Sequence, residues 1–151
     1  MINDIQHTAI STGDMERALA FYRDLLGFEV LSDTSWEKGS EQTANVERLM
    51  ELDGVAFRVA MLRLGTSQLE LFEFNSPVPT PSDSNRPVCD HGITHICLSV
   101  TDIDSEYERL ERAGMRFHCP PVDFGGRTVA TYGRDPDGNV VELYELQERG
   151  D

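Results

Sequence analysis

The stretch HTAISTGDMERALAFYRDLLGFEV, residues 7–30, decides the fold, because residues 95–117, HICLSVTDIDSEYERLERAGMRF, repeat its plan. The two stretches superpose at an offset of 88 residues, which places Asp14 on Asp102. One gap later in the segment brings Gly27 onto Gly114. A repeated unit that cannot bury its own apolar face needs a second copy to cover that face. The sequence therefore predicts two copies of one module.

Each copy is predicted as a strand, a helix and three further strands. Alternating apolar and polar residues from Ile5 to Ser11 indicate the first strand. The helix that follows is predicted to begin at the N-cap Asp14 and to end at Gly27, where glycine favours the left-handed backbone conformation. The turn signals Gly65-Thr66-Ser67 and Asp135-Pro136-Asp137-Gly138 separate the last two strands of each copy. The predicted class is α+β, with the sheets of both copies side by side around one cavity.

The two copies are predicted to form one domain over residues 1–151. Residues 75–92, NSPVPTPSDSNRPVCDHG, hold four of the seven prolines, which is typical of a linker. Module one is therefore placed at residues 1–75, the linker at 76–92 and module two at 93–148. Residues 32–52 are polar and are predicted as a loop that contains the helical piece NVERLMEL.

The composition excludes several classes of partner. The chain carries 27 acidic and 13 basic residues, and its net charge of -14 repels nucleic-acid phosphates and anionic membranes. An anionic substrate would need a local basic patch. The three cysteines lack CxxC spacing, so we expect reduced thiols. No run of 18 apolar residues and no signal peptide is seen in the sequence, and we expect a cytoplasmic protein.

Each copy carries a histidine in its first strand and a glutamate in its last strand. His7 is followed by Glu70, and His95 is followed by Glu142. Strand parity places all four opposite the richer aliphatic row, where an uncompensated carboxylate is costly unless it is paired or bound to a cation. Two imidazoles and two carboxylates suit nickel, cobalt, iron, manganese or zinc, and suit magnesium or calcium poorly. The pattern therefore predicts one divalent metal site that leaves two octahedral positions open.

Each of these residues also has a simpler interpretation. A strand histidine is often a hydrogen-bonded core or edge residue. Glu70 can be an exposed strand residue beside Glu73, and Glu142 can pair with Arg134 or Lys38. Recurrence of the same residue types at the same place in both copies favours metal binding over these alternatives.

At this point the chain resembles the vicinal oxygen chelate superfamily, which includes glyoxalase I, methylmalonyl-CoA epimerase, extradiol dioxygenases and the fosfomycin- and bleomycin-resistance proteins. The segments that carry the resemblance are HTAISTGDMERALAFYRDLLGFEV, QLELFEF, GITHICLSVTDID and YGRDPDGNVVELYE. The resemblance implies tandem βαβββ modules in a cupped, barrel-like mixed sheet with the helices outside. It also implies a metal held by His7, Glu70, His95 and Glu142, and a homodimer.

The resemblance further implies an enzyme, an isomerase, epimerase or lyase acting on a small α-oxygenated carbonyl substrate through a metal-stabilised enolate. Glu142 is the first candidate base and Glu70 the second. Four protein ligands argue against the alternative of an extradiol-type dioxygenase, which needs open positions for catecholate and oxygen. A non-catalytic, resistance-type ligand-binding protein is the other alternative. Ser11 and Phe74 stand where glyoxalase I usually carries arginine and asparagine, which argues against glutathione specificity.

Five residues are candidates for substrate contact. Phe72, Phe74 and Tyr132 are predicted to shape an apolar pocket, together with Phe124. Arg127, which follows two glycines, is predicted to meet a substrate anion.

Overall fold

The structure is a computed structural model that describes residues 1–147. The chain forms two compact units, Met1–Pro81 and a second that begins at Ser82. Each unit contains one mixed sheet and the repeated strand–helix–strands order, so the predicted α+β class and the two-module plan are confirmed. Within residues 1–147, no helix is long and apolar enough to cross a membrane.

The first unit has a four-stranded sheet with the order β1-β4-β3-β2. Its strands are β1 (Thr8–Ser11), β2 (Glu29–Trp36), β3 (Ala56–Leu64) and β4 (Ser67–Ser76). β1 pairs with β4 in parallel, and β3 pairs antiparallel with both β2 and β4. The short turn between β3 and β4 lies at Gly65, where the backbone takes a φ of 59° that favours glycine.

The helical segment of the first unit is bounded as its sequence predicts. Asp14 caps α1 (Met15–Leu19) by accepting a hydrogen bond from the backbone N–H of Arg17 at 3.0 Å. A π-helical segment, Ala20–Leu25, continues α1, and Gly27 ends it at a φ of 81°. A further helix, α2 (Glu41–Met50), lies between β2 and β3 and begins at the cap Ser40.

The second unit has a five-stranded sheet in which β5, β9, β8 and β6 follow one another and β7 also pairs with β8. Its strands are β5 (Ile96–Ser99), β6 (Arg116–Phe117), β7 (Val122–Asp123), β8 (Thr128–Arg134) and β9 (Val140–Leu146). β5 pairs with β9 in parallel, as β1 pairs with β4, and the remaining pairs are antiparallel.

Asp102 begins α3 (Ile103–Arg112) and accepts a hydrogen bond from the N–H of Ser105 at 3.3 Å. The turn between β8 and β9 is built around the buried Asp135, whose Oδ1 accepts hydrogen bonds from the N–H groups of Asp137 at 3.0 Å and Asn139 at 2.8 Å. This turn fixes the register of the two strands that carry Tyr132 and Glu142.

One face of each sheet packs on its helix. In the first unit α1 packs on β4, and in the second α3 packs on β9. The buried strand residues on these faces include Leu62, Leu69 and Leu71 in the first unit and Val129, Val141 and Leu143 in the second. Side chains alternate along a strand, so Glu70 and Glu142 project from the opposite face, as predicted.

Three boundaries differ from the sequence-based expectation. His7 and His95 both lie one residue before their strands, because the parallel ladders begin only at Thr8 and Ile96. The segment predicted as a loop from residue 32 begins with strand: β2 reaches Trp36, and its polar character reflects an exposed edge position. In the second unit the strand that follows the helix is split into β6 and β7 around Pro120 and Pro121, which have no N–H to donate to a ladder.

Candidate functional site

In the first unit, His7 and Glu70 are in contact. His7 Nε2 lies 3.3 Å from Glu70 Oε2, and the two side chains are 37% and 20% exposed. The other ring nitrogen, Nδ1, contacts the side-chain oxygen of Gln6, and Gln6 Nε2 donates to Gln68 Oε1 at 3.0 Å. The residue before the histidine therefore orients the ring so that Nε2 is turned to the carboxylate.

The second unit repeats this arrangement. His95 Nε2 lies 3.1 Å from Glu142 Oε2, and the side chains are 28% and 15% exposed. His95 Nδ1 contacts Thr94 Oγ1 at 3.0 Å, so the preceding residue again occupies the second ring nitrogen. This orienting residue was not identified in the sequence, because Gln6 and Thr94 have nothing in common except their position.

The two pairs occupy equivalent places in their sheets. Glu70 lies opposite Ala9 and Met61, and Glu142 lies opposite Cys97 and Tyr132 in the equivalent strands. The pairs have therefore kept one geometry through the duplication, while the side chains beside them have diverged.

The donor set fits a borderline divalent metal. Two donor atoms in adjacent octahedral positions, each about 2.1 Å from the ion, lie about 3.0 Å apart, which is close to the separation within each pair. Within each unit, as far as residues 1–147 describe it, no three His, Cys, Asp or Glu side chains are grouped closely enough to hold an ion. Each unit thus supplies half of the predicted set, and convergence of the two halves on one ion stays a prediction.

Glu142 has two neutral partners beside it. Burial first, and then a hydrogen bond to Glu142, raises the pKa of the Cys97 thiol to about 11. Burial also raises the pKa of Tyr132, with a smaller contribution from the negative charge of Glu142. The Tyr132 ring lies 5.0 Å from the His95 ring. The second pair is therefore flanked by a thiol and a phenol that stay protonated at neutral pH.

The first unit carries an aromatic group on the face of Glu70. Phe72 and Phe74 stack at 5.5 Å, and both rings contact Phe57, which in turn stacks on Trp36 at 5.8 Å. The sequence identified Phe72 and Phe74 as candidates but missed Trp36 and Phe57. Strand parity could have found Phe57, whereas Trp36 was assigned to a loop.

The other predicted contact residues lie elsewhere in the second unit. Arg127 immediately precedes β8 and donates from Nε to the carbonyl of Gln147 at 3.2 Å. Arg134 closes the other end of that strand, near the start of β5 and His95. Phe124 is 71% exposed. Of the two arginines, Arg134 is the one at the histidine end of the sheet.

A family model described as the Glyoxalase/Bleomycin resistance protein/Dioxygenase superfamily matches residues 4–143 of the chain. The lactoylglutathione lyase of Pseudomonas aeruginosa is 32% identical over 149 residues, covering 96% of this chain and 84% of that protein. The mitochondrial methylmalonyl-CoA epimerase of Homo sapiens is 26% identical over 145 residues, covering 92% and 72%. The crystal structure of a glyoxalase family protein from Bacillus cereus matches with a TM-score of 0.86 at 23% identity, covering 98% of this chain and 97% of that one.

Proposed function

Because the chain belongs to the Glyoxalase/Bleomycin resistance protein/Dioxygenase superfamily, we propose that it is a divalent-metal-dependent isomerase, epimerase or lyase acting on a small α-oxygenated carbonyl compound. The observation that carries the proposal is the His–Glu pair repeated at 3.3 Å and 3.1 Å in equivalent sheet positions. Relatives named as a lyase and as an epimerase support the same reaction class.

His7, Glu70, His95 and Glu142 would hold the ion, which is nickel, cobalt, iron, manganese or zinc. When bound, the ion supplies Lewis-acid polarisation of the substrate's neighbouring oxygens, which makes the proton on the adjacent carbon more acidic. Each unit provides two of the four donors, so the second pair must come from the other unit of the same chain or of a partner chain. We also propose a homodimer, as the resemblance to the family implies, and either route can complete the site in such an assembly.

Glu142 is proposed to move the proton. Its carboxylate would accept the proton alpha to the carbonyl and return it to the other face or to the neighbouring carbon. One feature favours Glu142 over Glu70, which is the second candidate. The protonated groups of Cys97 and Tyr132 lie beside Glu142, whereas Ala9 and Met61 lie opposite Glu70. A base held among neutral donors keeps its geometry while its charge changes.

The aromatic group of Trp36, Phe57, Phe72 and Phe74 is proposed to exclude water and to contact the apolar part of the substrate. The same group favours the second candidate function, a non-catalytic binding protein that captures an apolar ligand. An extradiol-type dioxygenase is less well supported, because four protein donors would leave too few positions for catecholate and oxygen.

Solvent-deuterium exchange followed by NMR tests the proposal. The full-length protein loaded with cobalt or nickel is incubated in D₂O with α-hydroxyketones, hemithioacetals and acyl-CoA thioesters. We expect exchange at the α carbon of at least one class, loss of exchange on chelation, and loss in Glu142→Gln. Glu73→Gln is the matched control, since Glu73 lies on the opposite face of the strand that carries Glu70. Saturable binding of a panel compound without exchange, unaffected by chelator, would instead identify the binding protein.

A further inference from the structure

Two arginines lie directly opposite each other on adjacent strands of the second sheet. Arg116 on β6 pairs with Arg134 on β8, so both side chains project from the face that carries Glu142. Like charges placed directly opposite each other in an antiparallel pair are destabilising. The repulsion between the two guanidinium groups falls when an anion lies between them.

His118 adds a third polar group to this cluster. Arg134 Nε donates to His118 Nε2 at 3.1 Å, which leaves His118 Nδ1 as an N–H donor. Partial burial lowers the pKa of His118, and the positive charges of Arg134 and Arg116 lower it further. Three donors therefore share one region of positive potential.

No carboxylate within residues 1–147 pairs with Arg116 or Arg134, although the chain has a net charge of -14. Several other arginines do pair with carboxylates: Arg58, for example, contacts Glu16 and Asp33 at 2.6 Å each. Arg116, Arg134 and His118 therefore form a local basic patch on a protein whose net charge is negative. An anionic substrate requires such a patch.

The cluster is continuous with the second half of the metal site. The His118 ring lies 6.2 Å from the Tyr132 ring, and the Tyr132 ring lies 5.0 Å from the His95 ring. Tyr132 is also directly opposite Glu142. A small molecule that reaches across Tyr132 can contact both His95 and His118.

We propose that Arg116, Arg134 and His118 form an anion subsite, which binds a carboxylate or phosphate carried by the substrate a few bonds away from its metal-chelating oxygens. The identity of the rest of the substrate rests on the proposed function, whereas binding of the anion does not. Guanidinium groups recognise both anions through paired N–H donors.

The arginines also have a structural task. Arg116 donates to Asn85 Oδ1 at 3.0 Å and to the carbonyl of Ser84 at 3.1 Å, and Arg134 donates to the carbonyls of Arg86 and Gly138 at 2.9 Å and 2.7 Å. These contacts hold residues 84–86 on the sheet. They leave the positive charge unneutralised, because the acceptors are uncharged amide oxygens and the His118 ring nitrogen.

Anion binding can be measured without knowledge of the reaction. Chelator-treated full-length protein is titrated with inorganic phosphate and, separately, with succinate, against chloride at matched ionic strength. Amide shifts of residues 116–118 and 132–134 and the melting temperature report binding. We expect saturable binding of at least one anion, weakened about tenfold in Arg116→Gln through loss of a charged hydrogen bond. Arg112→Gln, which removes the same charge from the exposed end of α3, should bind as the wild type does.

Two outcomes overturn the subsite. One is absence of saturable binding of both anions to the wild type. The other is an Arg116→Gln variant that melts at lower temperature without anion and responds to anions as the wild type does, which would reduce Arg116 to its structural task.

A turnover experiment separates the subsite from the proposed function. Dihydroxyacetone is compared with dihydroxyacetone phosphate, and 1-hydroxypentan-2-one with 5-hydroxy-4-oxopentanoate. We expect the anionic member of one pair to have the higher kcat/KM, with the preference reduced about tenfold through KM in Arg116→Gln. Exchange of the neutral compounds without any anion preference overturns the subsite alone. Anion binding without exchange of any compound in either this set or the earlier panel contradicts the proposed function alone.

Discussion

Replacement of Glu70 and of Glu142 by glutamine should weaken metal binding equally but weaken proton transfer unequally. The two carboxylates lie 3.3 Å and 3.1 Å from their histidines and are 20% and 15% exposed, so their surroundings as donors are nearly the same. If both bind one ion, each substitution removes one charged donor from the same site. Only Glu142, however, is proposed as the base.

The magnitudes follow from these positions. Loss of a group that merely orients a ligand costs about 10- to 100-fold in metal affinity, so loss of a carboxylate ligand should cost at least about 100-fold. We expect the losses for Glu70→Gln and Glu142→Gln to agree within about threefold. At saturating metal, Glu142→Gln should lower the exchange rate about 100- to 10,000-fold, the usual contribution of a general base, and Glu70→Gln should lower it less.

Cobalt titration followed by visible absorption gives the affinities, and deuterium exchange at saturating cobalt gives the rates. Glu73→Gln should match the wild type in both. A Glu142→Gln variant that binds cobalt normally while Glu70→Gln does not would refute the shared site. Equal losses of exchange at saturating metal would refute the assignment of Glu142 as the base.

Three further predictions concern assembly and stability. If the modules pair across a dimer, a His7→Ala chain mixed with a His95→Ala chain should regain up to about one quarter to one half of the wild-type exchange activity, and no recovery after subunit exchange would indicate pairing within one chain. Leu71→Ala should lower the free energy of unfolding by about 3 kcal/mol in a urea titration, because Leu71 is fully buried; a change below about 1 kcal/mol would contradict that core position. The hydrogen bond to Arg58 lowers the pKa of Asp33, so Asp33→Asn should cost up to about 1 kcal/mol at pH 7, a cost that fades as the pH falls below the ordinary value of 3.8; an unchanged cost at pH 2 would contradict this linkage.

The paired histidines and glutamates were predictable because they are repeated. A single strand histidine has many ordinary explanations, but the order His7, Glu70, His95, Glu142 tied each residue to an equivalent place in a duplicated module. The structure places the histidine and the glutamate of each pair in contact. The sequence could not show that both histidines precede their ladders, since alternation continues past the last hydrogen-bonded residue.

Edge strands and the helix type were harder to predict. β2 lies at the edge of its sheet and is mostly exposed, so its residues up to Trp36 lack the apolar alternation of a half-buried strand. Spacing of three and four residues fits both an α-helix and the π-helical turn at residues 20–25, so the sequence predicted one continuous helix.

The pairing of Arg116 with Arg134 could not be predicted from the sequence, for a different reason. Arg116 and Arg134 are far apart in the chain, and only the register of β6 against β8 places them opposite each other. β6 itself is a two-residue strand, too short to show alternation. Arg127 was predicted to contact the substrate because it follows two glycines. The arginine at the histidine end of the strand is instead Arg134.

The number of metal ions bound per chain tests the shared site most directly. Purified full-length protein is saturated with cobalt, freed of excess metal by dialysis and counted by elemental analysis beside the His7→Ala variant. One ion per chain in the wild type and almost none in the variant is the predicted result. Two ions falling to one would show that each His–Glu pair binds its own metal, and no tightly bound ion in the wild type would show that the pairs are only ion pairs.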